Sequence, residues 1–213
     1  MAVPNAPTEI VNLTLDLIKT ETINDIEIPA EDKISSVCNR WYHIIRQNAL
    51  EGFPWVFATK RASIPLNAEE PLFGYTDAYV LPKDYLSLSF IKEFDIPLSQ
   101  WDYTIEGTDL CLDNGGAESM LIGYVYDMRD VTKWSPSFKI LVAGQLAVFV
   151  VNKLTGNSGL YQRLTPLAKT LEVSAKAKNG MVNPPRSYFR SRMLESKSVY
   201  GHGGRVGRRY GRN

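Results

Sequence analysis

The 213 residues hold 24 Lys and Arg against 23 Asp and Glu, with 44% apolar and 22% charged side chains. That length can bury a real core in one domain or two small ones, and the composition is that of an ordinary globular protein, which excludes a low-complexity or fibrous chain. The near-neutral total also speaks against a broadly basic, DNA-coating body, but it conceals an asymmetry along the chain.

From Pro184 onward there are eight Lys and Arg against one acid, Glu195, a charge of +7, while residues 1–183 carry −6. A mildly acidic body therefore bears a basic tail suited to an acidic surface: DNA, a membrane or a protein. Cys38 and Cys111 are the only cysteines and show no metal or redox spacing, so two reduced, buried thiols are expected. The first ten residues lack a basic and then apolar leader pattern, so no secretion signal is expected. The longest apolar run, Ile140 to Val151, is broken by Gly144 and Gln145 and is shorter than the roughly 18–20 residues of a membrane span. A soluble protein made in the cytoplasm is the expectation.

In chain order, Ile10, Val11, Leu13, Leu15, Leu17 and Ile18 give a broad helical face after Pro7-Thr8. A second helix is predicted from Pro29, with Glu31 and Asp32 at its positive end and Gly52 as its stop. Ile34, Val37, Cys38, Trp41, Ile44 and Ile45 repeat at three and four, which predicts one buried stripe.

The period then changes. Phe53 to Trp134 holds 14 of the 23 aromatics and five of the 12 prolines. "YLSLSFI" alternates, with Leu86, Leu88 and Phe90 expected on one side and Ser87 and Ser89 on the other. "DYTIEGTDLCL" reads as two strands about a Glu106-Gly107-Thr108-Asp109 turn, and the Gly115-Gly116 turn leads into the strand "ESMLIGYVY". Short strands between turn signals imply a compact antiparallel β module.

Ser135-Pro136 is a suitable N-cap and first-turn pair for a third helix ending at Gly156, apolar almost all round and therefore central. A fourth is predicted from Ser158 to Asn179, with Leu160, Leu164, Leu167, Leu171 and Ala175 on one face, Gly180 as terminator, and Pro166 as a kink or the true start. The predicted fold class is α+β: a four-helix platform with an inserted antiparallel β module and an extended C-terminal arm. The expected segments are 1–52 for the first platform helices, 53–134 for the module, 135–180 for the last helices and 181–213 for the arm.

Reaction chemistry finds little footing. Cys38 and His43 lie five apart on one helix, about 140° around its axis, and cannot form a nucleophile–base pair. Neither histidine has a partner at metal-ligand spacing. Asp102, Glu106, Asp109 and Asp113 cluster in the strand zone, as glycosidase carboxylates would, but acids in turns and on solvent faces look the same. The glycines of "GHGGRVG" follow no strand and lack the Lys-Ser/Thr end of a phosphate loop. No enzyme activity, cofactor, metal or small-molecule substrate is expected.

The closing "VYGHGGRVGRRYGRN" places four arginines among five glycines and two tyrosines without an apolar period. Three readings of it are open. Its arginines could neutralise phosphates while tyrosines stack on bases; its glycine-rich backbone could dock along a protein partner with arginines on carboxylates; or it could serve only as a solubilising tail.

Two further stretches carry a resemblance. "GFPWVFATKRASIPL" supplies Trp55, Phe57, Ala58, Lys60 and Arg61, and "YTDAYVLPKDYLSL" supplies Tyr75, Tyr79, Leu81, Pro82, Asp84 and Leu86. Together with "YVYDMRDVTKWSPSFKILVAGQLAVFVV", they resemble the head-to-tail adaptor proteins of short-tailed bacteriophages, the family of the tail tubular A and tail accessory factor proteins. The resemblance spans about residues 8–180 and stops before the arm. Tyr75 and Tyr79 are spaced one wider than the tightest form of the motif, and Ser135 stands where an acid is common. As scaffold, Trp55 and Phe57 are expected to anchor the helix-to-sheet junction, Leu81-Pro82 to end one strand and Asp84 to cap the next turn.

The resemblance implies a dodecameric ring at the head–tail junction of the virion, assembled in the host cytoplasm. Its partners would be further copies of itself, the portal protein above and the tail nozzle or tail tubular protein below, with DNA in transient contact with the channel wall. By the same resemblance the arm, with Arg186, Arg190, Arg192, Arg205, Arg208, Arg209, Tyr210 and Arg212, is assigned to portal docking. A nucleic-acid-binding protein using that arm is the alternative, and a cell-wall hydrolase activity on Asp102, Glu106 and Asp109 rests on analogy alone.

Overall fold

The first helix owes its place to a run of apolar residues at three- and four-residue spacing. A computed structural model describes residues 6–26, 33–92 and 102–182 and places α1 at Ala6–Ile18, with Ile10, Val11, Leu15 and Ile18 buried. The segment after it is pinned back along the helix. The Asn12 carboxamide accepts from the Ile23 amide (2.9 Å) and donates to the Ile23 carbonyl (3.0 Å), and the Thr8 hydroxyl accepts from the Ile26 amide (3.2 Å).

Helix α2 occupies Lys33–Glu51. Its buried stripe runs through Val37, Cys38, Tyr42, Ile45, Ala49 and Leu50. Ile44, expected in that stripe, is instead 56% exposed, and Trp41 is only half-buried. The stripe follows the side facing the third helix and the strands, and Tyr42 rather than Ile44 lies on it. Arg46 is buried on the same helix, where it pairs with Asp127.

A short turn of 3-10 helix at Val56–Ala58 delivers the chain to the strands. Strands β1 (Thr59–Pro65), β3 (Tyr85–Ile91) and β6 (Ser119–Tyr126) form one antiparallel sheet in the order β1-β6-β3. Strands β2 (Asp77–Val80), β4 (Tyr103–Glu106) and β5 (Asp109–Leu112) form a second in the order β2-β5-β4. The β4–β5 hairpin closes through Gly107-Thr108, with Gly107 at φ +62°, a left-handed conformation that favours glycine. In β3 the pairing register shifts between Tyr85 and Ser87 and again between Leu88 and Phe90. These irregularities break the expected alternation, and the strand is half-buried along its length up to buried Ile91. Ile64, Tyr79, Leu110, Leu112, Met120 and Ile122 make a core for the two sheets, separate from the helical core.

Helix α3 (Pro136–Thr155) begins as its sequence implies: the Ser135 hydroxyl accepts from the Phe138 amide (3.3 Å) with Pro136 in the first turn. It ends at Gly156 (φ +64°), whose amide donates to the Asn152 carbonyl (3.1 Å). It contacts α1, α2 and the fourth helix, which is why its apolar surface is so wide. By length and composition alone α3 is sufficient to cross a membrane, with mean hydropathy 1.4; half of that window is buried in this fold.

Helix α4 (Ser158–Val182) is longer than expected. It continues through Pro166, which is neither its start nor its end, and through Gly180, which does not stop it. Leu164, Ala168 and Ala175 are its buried residues, so Ala168 takes the place expected for Leu167. Near its far end, Asn179 grips the start of the β module: its side chain accepts from the Val56 amide (3.0 Å) and donates to the Pro54 carbonyl (3.3 Å). The fold is thus α+β, with four helices and two small antiparallel sheets inserted between the second and third helices.

Candidate functional site

Of the residues that carry the family resemblance, Trp55, Phe57 and Ala58 gather at the junction of helices and sheets, while Tyr79 and Leu81 lie in the core of the two sheets. Trp55 is fully buried, its indole N–H donates to the Ala49 carbonyl (2.8 Å), and its ring meets Phe138 edge-on at 4.8 Å. Phe57 packs on Phe138 at 5.0 Å, and Ala58 is buried beneath. The Lys60 ammonium donates to Asp84 (2.7 Å) and lies 3.7 Å from the centre of the Tyr126 ring. The Tyr124 hydroxyl donates to the other Asp84 oxygen (3.0 Å).

Burial pushes the Asp84 carboxyl up, but the Lys60 and Tyr124 hydrogen bonds and the Lys60 charge outweigh it and hold it below the usual carboxylate value. Asp84 was expected to cap a turn; its carboxylate ties β1 to β6 across the sheet. Arg61 lies 5.7 Å from the Phe90 ring centre. Tyr79 is buried, donates its hydroxyl to the Ala117 carbonyl (2.9 Å) and accepts from the Asn114 side-chain carboxamide (3.1 Å). Leu81 is buried, and the Pro82 carbonyl accepts from the Tyr85 amide (3.0 Å), which closes the turn between β2 and β3. Every one of these contacts joins structural elements.

The carboxylates considered for hydrolysis lie along the β4–β5 hairpin, with Glu106 and Asp109 paired at its tip and Asp102 and Asp113 at its open end. Three of them are held by other side chains or backbone. Asp102 accepts from the Tyr75 hydroxyl (3.0 Å), Asp109 from the Asn67 amide group (3.1 Å) and Asp113 from the Thr76 backbone amide (2.8 Å); Glu106 is exposed. His43 is exposed on α2, edge-on to Tyr42 at 5.3 Å. Cys38 and Cys111 are reduced and buried, and burial, followed by Glu106 and Asp109, pushes the Cys111 thiol up. Among the described residues no three His, Cys, Asp or Glu side chains gather as metal ligands would. The arm residues Arg186, Arg190, Arg192, Arg205, Arg208, Arg209, Tyr210 and Arg212 lie outside the described residues.

Two surface features escaped the reading of the sequence. The first is a groove of about 460 Å³ along the seam of α2 and α3, lined by Val37, Arg40, Trp41, Phe149, Asn152 and Lys153. Trp41 and Phe149 touch at 5.2 Å between ring centres, and Phe149 is still 51% exposed. The second is the loop between β1 and β2, where Leu72 is 98% and Phe73 88% exposed. Helical period hid the first, because Phe149 belongs to a helix that is apolar nearly all round. The second was visible as an unpatterned apolar pair between Glu69-Glu70-Pro71 and Gly74. No protein-family model matches the chain, and no curated protein matches it.

Proposed function

We propose that the chain is a structural head-to-tail adaptor subunit of a phage virion, forming a dodecameric ring that joins the portal to the tail nozzle and lines the DNA exit channel. The observation that carries this reading is the junction built by the resemblance residues. Trp55 and Phe57 lock helix α3 to the start of β1 by packing on Phe138. The Asp84 carboxylate, held by Lys60 and Tyr124, cross-links β1 and β6 behind them, a rigid connection suited to a load-transmitting spacer. On this reading the helical platform makes the subunit contacts, no residue carries out a reaction, and the Gly/Arg arm orders on acidic surface of the portal.

Electron microscopy of the chain mixed with its portal tests the reading directly: a ring with countable subunits is expected, and two components that stay apart would sink it. A chain ending at Asn183, which keeps α4 whole, should remain folded by circular dichroism and fail to sediment with portal rings. Undiminished co-sedimentation would remove the arm from its assigned role. The +7 charge of the tail favours one second reading, a nucleic-acid-binding arm. It would show as duplex-DNA gel shifts that weaken steeply with salt.

A further inference from the structure

We infer that copies of this chain join head to tail, with the Leu72-Phe73 tip of one copy seated in the α2–α3 groove of the next. The inference rests on the ring-subunit reading and adds to it the contact by which neighbours hold each other. Leu72 and Phe73 are 98% and 88% exposed, so their own chain does almost nothing to shield two large apolar side chains. Gly74 at φ +92° turns the chain sharply behind them, and Pro71 stiffens it in front. A tip presented this way loses little further freedom on docking.

The groove has the matching chemistry. Val37, Trp41 and Phe149 give it an apolar floor, while Arg40 and Lys153 stand among its lining residues. The tip is preceded by Glu69 and Glu70. Among the described residues none of these four charged side chains forms an ion pair. An apolar tip with two acids thus meets an apolar floor with two bases.

The same charges rule out like-on-like contacts. A two-fold contact of tip on tip would crowd four glutamates, and one of groove on groove would crowd two arginines and two lysines. Only tip into groove pairs opposite signs. Tip and groove are different patches of one chain, so a single tip-in-groove contact leaves a free groove on one copy and a free tip on the other. Repeated in one sense about an axis, the contact closes as a ring.

Leu72, Phe73, Arg40 and Lys153 are all exposed, so substitutions at these positions leave the core untouched. In sedimentation velocity over a concentration series, the wild-type chain should self-associate into species larger than a dimer. Association that stops at a dimer would be a reciprocal pair and would overturn the head-to-tail contact. Leu72→Ser/Phe73→Ser, and separately Arg40→Glu/Lys153→Glu, should each weaken association about 10- to 100-fold while circular dichroism stays unchanged. Mixing these two variants should give one-to-one pairs and nothing larger, since one intact tip meets one intact groove. Adding Glu69→Lys/Glu70→Lys to the Arg40→Glu/Lys153→Glu chain should restore assembly. Wild-type assembly that both variants leave unaltered would overturn the contact while leaving a ring formed by other surfaces. A mixture without pairs would overturn it too, as would a wild-type chain that stays monomeric at the highest concentration it reaches. Rings absent from micrographs of chain and portal would instead overturn the underlying reading.

Discussion

The ring of Phe90 on β3 covers the backbone of Gly123 on β6, so closely that a Cβ at position 123 would fall 2.1 Å from Phe90 Cε1. Arg61 on β1 pairs with the same glycine from the other side. Glycine in a central strand weakens it, and the aromatic ring offsets that loss by covering the bare backbone. Gly123→Ala should destabilise the protein by about 1–3 kcal/mol in urea unfolding, because the ring must leave its seat. Phe90→Ala in the Gly123→Ala background should cost less than in the wild type, a coupling that a double-mutant cycle reads directly. Strictly additive effects would mean that ring and glycine do not depend on each other.

Tyr42 presents a different kind of burial. It is 2% exposed, and its hydroxyl has no hydrogen-bond partner among the described residues. Burial pushes its phenol up to about 12, against the lowering influence of Arg46. Tyr42→Phe is therefore expected to be neutral or to stabilise by about 1 kcal/mol in thermal unfolding, since it removes a polar atom that pays desolvation. A clear loss of stability would instead reveal a bound partner. The folded state keeps the Tyr42 proton that the unfolded chain gives up above its ordinary value of 10.0. That contribution is complete below pH 10.0 and disappears as pH rises toward about 12, with Tyr85 and Tyr124 acting in the same direction. Tyr42→Phe should flatten this alkaline decline.

Local chemistry was the most readable part of the sequence. Ser135-Pro136 and Gly156 bound α3 as their side chains dictate, and Gly107 closes the β4–β5 hairpin. These signals depend on a few neighbouring residues and are insensitive to the rest of the fold. Ile44 and Tyr42 exchanged roles because helical spacing gives a stripe but not the direction in which its partners lie. Gly180 failed as a stop for a similar reason, since Asn179 holds the helix end onto Pro54 and Val56 from far along the chain. The α2–α3 groove needed two helices to be juxtaposed, which no single period reports.

That Asn179 contact can be probed alone. Asn179→Ala removes one acceptor and one donor from exposed backbone partners, so the cost should be only about 1 kcal/mol. Its clearer signature lies in hydrogen exchange. The Val56 amide should exchange faster while the amides of central α3 stay as protected as before. Unchanged exchange at Val56 would show that the end of α4 is held by other contacts.

The acid limit of the fold should depend on Asp127, together with Asp77 and Asp84, which folding also lowers. Its side chain is 10% exposed and pairs with Arg46 of α2, which is 3% exposed, just beyond the end of β6. Arg46 also donates to the Met128 carbonyl (3.2 Å), and Arg129 donates to the second Asp127 oxygen (2.9 Å). Burial pushes the Asp127 carboxyl up, but the hydrogen bonds and charges of the two arginines prevail and hold it below its usual 3.8. A carboxylate lowered by folding contributes stability above the unfolded value and loses it as pH falls through the folded one. Unfolding free energy should therefore hold steady from neutral pH down to about pH 5 and drop below about pH 4. Asp127→Asn should cost about 3 kcal/mol at neutral pH, because it leaves the Arg46 charge buried without its counter-ion, and it should shrink the acid decline. Replacing both partners, Arg46→Met with Asp127→Leu, should recover most of that loss. If Asp127→Asn instead unfolds with the wild-type free energy and the wild-type acid profile, the pair does not hold helix α2 to the strands.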